Sequence, residues 1–240
     1  NHMSWWQQVG HLSQTYTCVT FAHRGFAPST LETSAPEPAQ FADDLAALLA
    51  HLRIDQAHLV GQSMGGWTMI EYCLRAPATV RSLVLSATTG SIDPARIPGI
   101  DSVALAHWKV GAARSAAECR SNQVHPAAGM RMAREQPALH LLYQQIDALS
   151  RDLDKETLRA RLQALRVRSP EGLAATGVPV LLVSPDEDIV IPPPGLHALS
   201  RALPDARLVQ LPKTGHSPYF ENPQAFNRCL EDFLHPIDRE

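Results

Sequence analysis

The stretch Val60-Gly61-Gln62-Ser63-Met64-Gly65-Gly66 constrains this chain more than any other. Ahead of it, Ala57-His58-Leu59-Val60 has the short apolar make-up of a buried strand; after it, residues 67–74 read as a helix with apolar residues on more than one side. A serine with glycine two residues away on either side, at a strand-to-helix turn, is the nucleophile-elbow pattern. Its basis is steric. The serine occupies a strained turn that exposes its hydroxyl, and glycine at Gly61 and Gly65 lets neighbouring backbone pass close by. The helix that starts there also turns its free N–H groups and positive dipole end towards any negative charge formed beside Ser63.

Around this elbow the chain alternates between strand and helix signals. Residues 4–14 open with Ser4 as an N-cap candidate and place Trp5, Val9 and Leu12 at helical spacing. Residues 17–21 are short and β-branched, which predicts a strand, and the loop from Ala22 to Ser29 follows. From Pro38 to Leu52, the positions of Phe41, Leu45, Leu48, Leu49 and Leu52 predict an amphipathic helix. Residues 80–86 read as another strand. No strand signal follows from about residue 90 to 172, only helical material rich in Ala and Arg; then come a strand at 178–183, a helix near 194–202, a strand at 206–211 and a last helix near 222–234. Strands separated by helices of this length imply an α/β fold with a doubly wound, mostly parallel sheet. The expected organisation is a first part of the core over 1–90, a helical insertion over 91–172 that roofs the strand ends, and a second part of the core over 173–240.

Bulk properties narrow the partners. A net charge of −3 leaves no electrostatic footprint for nucleic acid or an anionic membrane. No apolar run approaches the length of a membrane span. The four cysteines (Cys18, Cys73, Cys119 and Cys229) lie far apart with no C-x-x-C pair, as expected of free thiols in a reducing, cytoplasmic setting and not of a disulfide frame or zinc site. A targeting segment ahead of Asn1 remains compatible with this.

A serine hydroxyl is a poor nucleophile and needs a base, usually histidine, itself oriented by a carboxylate. On a sheet with this elbow the order is Ser, acid, His. The acid should follow the strand at 178–183, where Asp186, Glu187 and Asp188 are all available. The base should follow the last strand, where His216 stands in a Gly- and Pro-shaped loop, Leu211-Pro212-Lys213-Thr214-Gly215-His216-Ser217-Pro218. The other ten histidines take surface or packing roles by default.

These segments resemble the α/β-hydrolase family, specifically its soluble, cap-bearing serine branch, over nearly the whole chain outside the insertion. The elbow is similar almost residue for residue. Gly215-His216-Ser217-Pro218, then Glu221-Asn222-Pro223 before a helix ending in Phe233-Leu234, resembles the family's histidine loop and final helix, and His23-Arg24-Gly25-Phe26 resembles its Arg-Gly loop. In that branch the acid commonly sits four residues before a proline, so the resemblance selects Asp188, four before Pro192. Two departures stand out. Ala22 and Ala27 replace the family's usual Asp and Gly, which should alter loop packing and not chemistry. The strand and His-Gly loop that precede the family's first helix, and carry one of two oxyanion-hole amides, have no counterpart here. The expectation is that roughly a βα-unit's fragment belongs ahead of Asn1.

The resemblance implies a serine hydrolase acting through an acyl-enzyme on a small carboxylic ester or lactone, with hydrolysis of a C–C bond in a β-diketone-like substrate also open. Ser63 would be the nucleophile, His216 the base, Asp188 the orienting acid and the Met64 N–H an oxyanion donor, with no metal or organic cofactor. Serine at the elbow, where dehalogenating relatives carry Asp, argues against haloalkane chemistry. The alternatives are a hydrolase-like scaffold that binds a ligand without turnover, and an acyltransferase or perhydrolase using the same residues. The insertion says less about substrate. Trp108, Met130, Met132, Leu141, Leu142 and Tyr143 are expected mostly to pack the insertion rather than line an acyl pocket. Arg96, Lys109, Arg114, Arg120, Arg131 and Arg134, interspersed with Asp93, Asp101, Glu118 and Glu135, are expected to form a mixed solvated surface. Residues 154–166, with Leu158, Leu162 and Leu165, read as an amphipathic helix with arginines on its outer face.

Overall fold

Two short apolar runs, β2 (Val80–Ser86) and β3 (Val180–Pro185), form the middle of a four-stranded parallel sheet in the order β1-β2-β3-β4, with β1 (Ala57–Gln62) and β4 (Arg207–Leu211) at its edges. The computed structural model describes residues 1–31 and 36–239. Side chains alternate across a strand, and here the alternation divides the core. Leu83, Leu85, Val180 and Leu182 pack on one face with α2 (Phe41–Leu52), α3 (Met64–Arg75), α8 (Pro170–Ala174) and α9 (Pro193–Ala202). Val84, Leu181 and Val183 pack on the other with α11 (Pro223–Ile237), α1 (Trp6–Leu12) and the short α10 (Pro218–Glu221). Leu83, Leu85, Leu181 and Leu182 are wholly buried, each stabilising the sheet centre by about 1.5–3 kcal/mol.

Between β2 and α8 the chain leaves the sheet for α4 (Ser102–Ser121), α5 (Gly129–Glu135), α6 (Pro137–Ala148) and α7 (Lys155–Ala164). Asp101 starts α4 by accepting hydrogen bonds from the Val103 and Ala104 amides, and Asp154 starts α7 by accepting one from Thr157, which satisfies amides that lack intrahelical partners. The outgoing and returning passages are stitched together at the neck. Asp93 N–H donates to the Arg168 carbonyl (2.9 Å) and Arg168 N–H to the Ser91 carbonyl (3.0 Å). The Arg168 guanidinium forks onto the buried Glu71 carboxylate of α3 at 2.8 and 2.9 Å.

Three expectations change. Residues 17–21 form no strand: a strand needs a ladder partner, and this segment lines a channel that also runs along β1 instead of pairing with it. Ser4 is not a helix N-cap; it lies within the 3₁₀ turn His2–Trp5 and its hydroxyl donates to the Asn1 carbonyl, while the Asn1 side chain caps that turn. The arginines of 154–166 do not all face away from the core: Arg159 and the half-buried Arg166 both line the same channel. All four cysteines are free thiols. Among the described residues, no helix is long and apolar enough to cross a membrane.

Candidate active site

Ser63 stands where β1 turns into α3, with φ 51° and ψ −118°, a conformation that costs a non-glycine residue free energy unless its surroundings enforce it. They do. Ser63 N–H donates to the Ser86 carbonyl at the end of β2 (2.9 Å), and its own carbonyl accepts from Gly66 N–H (3.1 Å). A side chain at Gly61 would come within 2.8 Å of the Gly65 and Gly66 backbone, and one at Gly66 within 2.3 Å of Thr88. Gly65, by contrast, has open space around it. The close approach at the turn therefore depends on Gly61 and Gly66.

His216 is carried by the loop after β4. Its Nε2 lies 2.8 Å from Ser63 Oγ and its Nδ1 2.9 Å from Asp188 Oδ2. Its backbone carbonyl accepts a hydrogen bond from the Gln62 side-chain amide (2.8 Å), so the residue before the serine fixes the loop that carries the imidazole. Asp188 follows β3. Its Oδ1 accepts from the Val190 and Ile191 amides at 2.7 and 2.9 Å, leaving Oδ2 for the imidazole. Asp188 and His216 are 2% and 3% exposed. Asp186 and Glu187, the other two carboxylates of that loop, are exposed; Glu187 pairs with Arg131, which holds its carboxyl below the usual range. Only Asp188 reaches His216.

The Met64 N–H occupies the first position of α3, where helix amides have no intrahelical partner. An alkoxide or tetrahedral oxyanion forming beside Ser63 would meet this helix end. The arrangement provides an acceptor for the serine proton, a fixed tautomer for that acceptor and a dipole for developing negative charge.

Ser63, Met64 and His216 open onto a channel of about 1140 Å³. Its walls include β1, residues 17–21, Leu45, Leu48 and Leu49 of α2, and Tyr143, Leu158 and Leu162 of the inserted helices. His23 also lines it, bonded to Thr68 Oγ1 at 2.8 Å, and burial pushes its imidazole down to about 4. Of the apolar candidates in the insertion, Tyr143 borders the channel, Met132 is wholly buried, and Leu141 and Leu142 are exposed. Trp108 and Met130 line a second, smaller cavity beneath the Asp188 loop. The basic candidates Lys109, Arg114 and Arg120 are exposed, Arg96 pairs with Asp93, Arg131 with Glu135 and Glu187, and Arg134 with Glu118. The elbow motif includes Gln62 but carries no sign of its bond to the His216 carbonyl, and no motif marks Trp108 or Arg166. Among the described residues, no group of three or more His, Cys, Asp or Glu is placed to hold a metal ion.

A family model described as alpha/beta hydrolase fold matches residues 1–223. The chain is 26% identical over 241 residues to the Agrobacterium fabrum protein named "Putative carbamate hydrolase RutD", covering 98% of this chain and 89% of that one. It is 31% identical over 253 residues to the Mycobacterium tuberculosis protein named "Putative non-heme bromoperoxidase BpoC", covering 95% and 86%. A solved structure of a thermophilic esterase from Thermogutta terrifontis superposes with a TM-score of 0.74 at 22% identity, covering 99% of this chain and 86% of that one.

Proposed function

The chain belongs to the alpha/beta hydrolase fold family, and on that premise we propose that it is a serine hydrolase that cleaves a small carboxylic ester or lactone through an acyl-enzyme. One observation supports this reading above the rest: the unbroken line from Ser63 Oγ to His216 Nε2 and from His216 Nδ1 to Asp188 Oδ2, at 2.8 and 2.9 Å, with the acid and base almost fully shielded from water.

In this mechanism Ser63 Oγ attacks the carbonyl carbon while His216 Nε2 takes the hydroxyl proton. Asp188 keeps the imidazole in the tautomer that can accept it and offsets the imidazolium charge. The carbonyl oxygen becomes an oxyanion facing the Met64 amide. Collapse breaks the bond to the leaving oxygen, which receives the proton from His216 and departs as an alcohol, or stays tethered if the substrate is a lactone. Water, deprotonated by His216, then attacks the acyl-enzyme and releases a carboxylic acid and free Ser63. The helices over residues 91–172 act as a cap that, with α2, encloses the acyl group in the channel. A carbamate, the substrate class in the Agrobacterium relative's name, presents the same kind of carbonyl and belongs in the substrate panel.

A second reading is perhydrolysis, in which hydrogen peroxide replaces water at the acyl-enzyme; the peroxidase name of the Mycobacterium relative favours it. Product analysis with and without peroxide separates the two.

The experiment is labelling with a fluorophosphonate probe, the modified peptide being mapped by mass spectrometry with Ser63→Ala as control. Stoichiometric modification at Ser63 is expected, followed by turnover of short-chain esters and lactones. A folded protein that resists the probe and every substrate would leave a scaffold that binds a ligand without turnover.

A further inference from the structure

Arg159 and Arg166 both line the channel with no ion pair among the described residues, but Arg159 is exposed and Arg166 is half-buried. Arg131, Arg134 and Arg168 each meet a carboxylate, and so do Arg24 and Arg75 on the far side of α2. Arg166, just beyond the end of α7, does not: its Nη2 donates to Thr89 Oγ1, and its Nε is buried with no hydrogen-bond partner among the described residues. Among the described residues two acids border the channel, and both are engaged elsewhere. Asp147 pairs with Lys155 at 2.6 Å, and Asp238 is held by Tyr16, His58 and Arg81. Asp93 is near enough to favour the charged guanidinium but makes no ion pair with it.

A guanidinium stays charged at any physiological pH, and burying one without a counter-ion is costly. A chain that keeps such a group in the wall of its reaction channel gains when an anion arrives to share it. Thr89 lies three residues beyond Ser86, whose carbonyl anchors the Ser63 amide, so Arg166 and the serine hang on adjacent parts of one strand end. Both line the channel with Met64 and His216. The planar fork of an arginine matches a carboxylate in particular, with two parallel N–H···O bonds.

We propose that Arg166 receives a carboxylate carried by the substrate, so that the ester or lactone opened at Ser63 is an acidic one. This rests on the hydrolase reading for the reaction, though not for the binding of the anion. Recognition of the charge fixes one end of the substrate, and the length between that end and the reactive carbonyl selects which members of the class are cleaved.

The test compares p-nitrophenyl monoesters of glutaric, adipic and suberic acids with neutral p-nitrophenyl esters of matched length, in the wild type and in Arg166→Met and Arg166→Lys. A preference for an acid-terminated ester is expected. In Arg166→Met the ratio of kcat/KM for acidic over neutral esters should fall roughly 10- to 100-fold, the range of a charge-assisted hydrogen-bonded pair, and mainly through KM. Lysine should restore part of it. An unchanged ratio in a folded Arg166→Met protein overturns the proposal. Calorimetric titration with adipate needs no turnover and separates this idea from the hydrolase reading. If Ser63 proves inert to fluorophosphonate while adipate binds the wild type and not Arg166→Met, the anion site stands and the hydrolase reading falls. Equal adipate affinity in both proteins, or none in the wild type with no acidic preference, sinks the anion site even if Ser63 is reactive.

Discussion

Trp108, on α4, donates its indole N–H to the backbone carbonyl of Asp188 across 2.6 Å. The helix inserted after β2 thus grips the loop that holds the acid, 80 residues away in the chain. Trp108→Phe keeps the ring and deletes the donor. It should lower kcat roughly 2- to 10-fold, the effect of one lost hydrogen bond, with KM for short esters nearly unchanged. Steady-state kinetics on one small ester checks this; an equal loss in KM would place Trp108 against the substrate.

The three carboxylates after β3 should separate by function. Asp188→Asn is expected to reduce kcat by about 10⁴, because an amide cannot hold the imidazole in the accepting tautomer. Asp186→Asn and Glu187→Gln remove exposed groups and should leave kcat within about threefold, since exposed pairs contribute little. Measuring the three variants on one substrate settles which carboxylate serves His216.

Glu221 makes stability depend on pH. Burial, with smaller contributions from Glu187 and Asp188, raises its carboxyl from 4.5 to about 8 against the pull of the Gly215 and Ser217 amides. The folded protein therefore keeps this proton where the unfolded chain has lost it. Stability from this group is fully present below about pH 4.5 and declines as pH rises towards about 8, by up to about 1.4 kcal/mol per pH unit. Glu221→Gln should flatten that decline. Urea melts at pH 5, 6, 7 and 8 should show the variant gaining on the wild type as pH rises.

Arg168 and Glu71 hold the neck of the insertion. Glu71 is 3% exposed, and although burial alone would raise its carboxyl, the Arg168 guanidinium hydrogen-bonded to it brings it below the usual range. Arg168→Ala leaves that carboxylate buried without its main partner. A loss of about 1–3 kcal/mol is expected, less than for a fully buried pair because the Arg168 side chain is 48% exposed. Because the Glu71 carboxyl is depressed, this contribution is present above the ordinary carboxylate range and lost as pH falls through the folded value. Thermal melts at pH 7 and pH 4 should show a larger difference at pH 7.

Much of the architecture is legible locally. The elbow, β2, β3, α2 and α11 carry their own signals in glycine placement, β-branched runs and apolar periodicity, and the sheet and helices lie close to where those signals place them. Residues 17–21 have the composition of a strand, but pairing is not a local property, and among the described residues the segment has no ladder partner. Choosing Asp188 over Asp186 and Glu187 required a family resemblance, since all three share one turn and composition cannot say which side chain faces inward. The direction of Arg166 was hidden for a related reason. It lies past Ala164, where α7 ends and helical periodicity no longer predicts a face.

The place of β1 at the sheet's edge bears on how firmly Ser63 is held. In a parallel ladder alternate amides of a strand face opposite sides, and among the described residues only β2 takes those of β1, whereas β3 is gripped from both flanks. Backbone supported on one flank opens more readily than backbone supported on two. Deuterium should therefore replace amide hydrogens sooner at Val60 and Gly61 than at Leu181 and Leu182. Among the described residues, the backbone that leads into Ser63 is therefore braced from one side and the strand that leads to Asp188 from two.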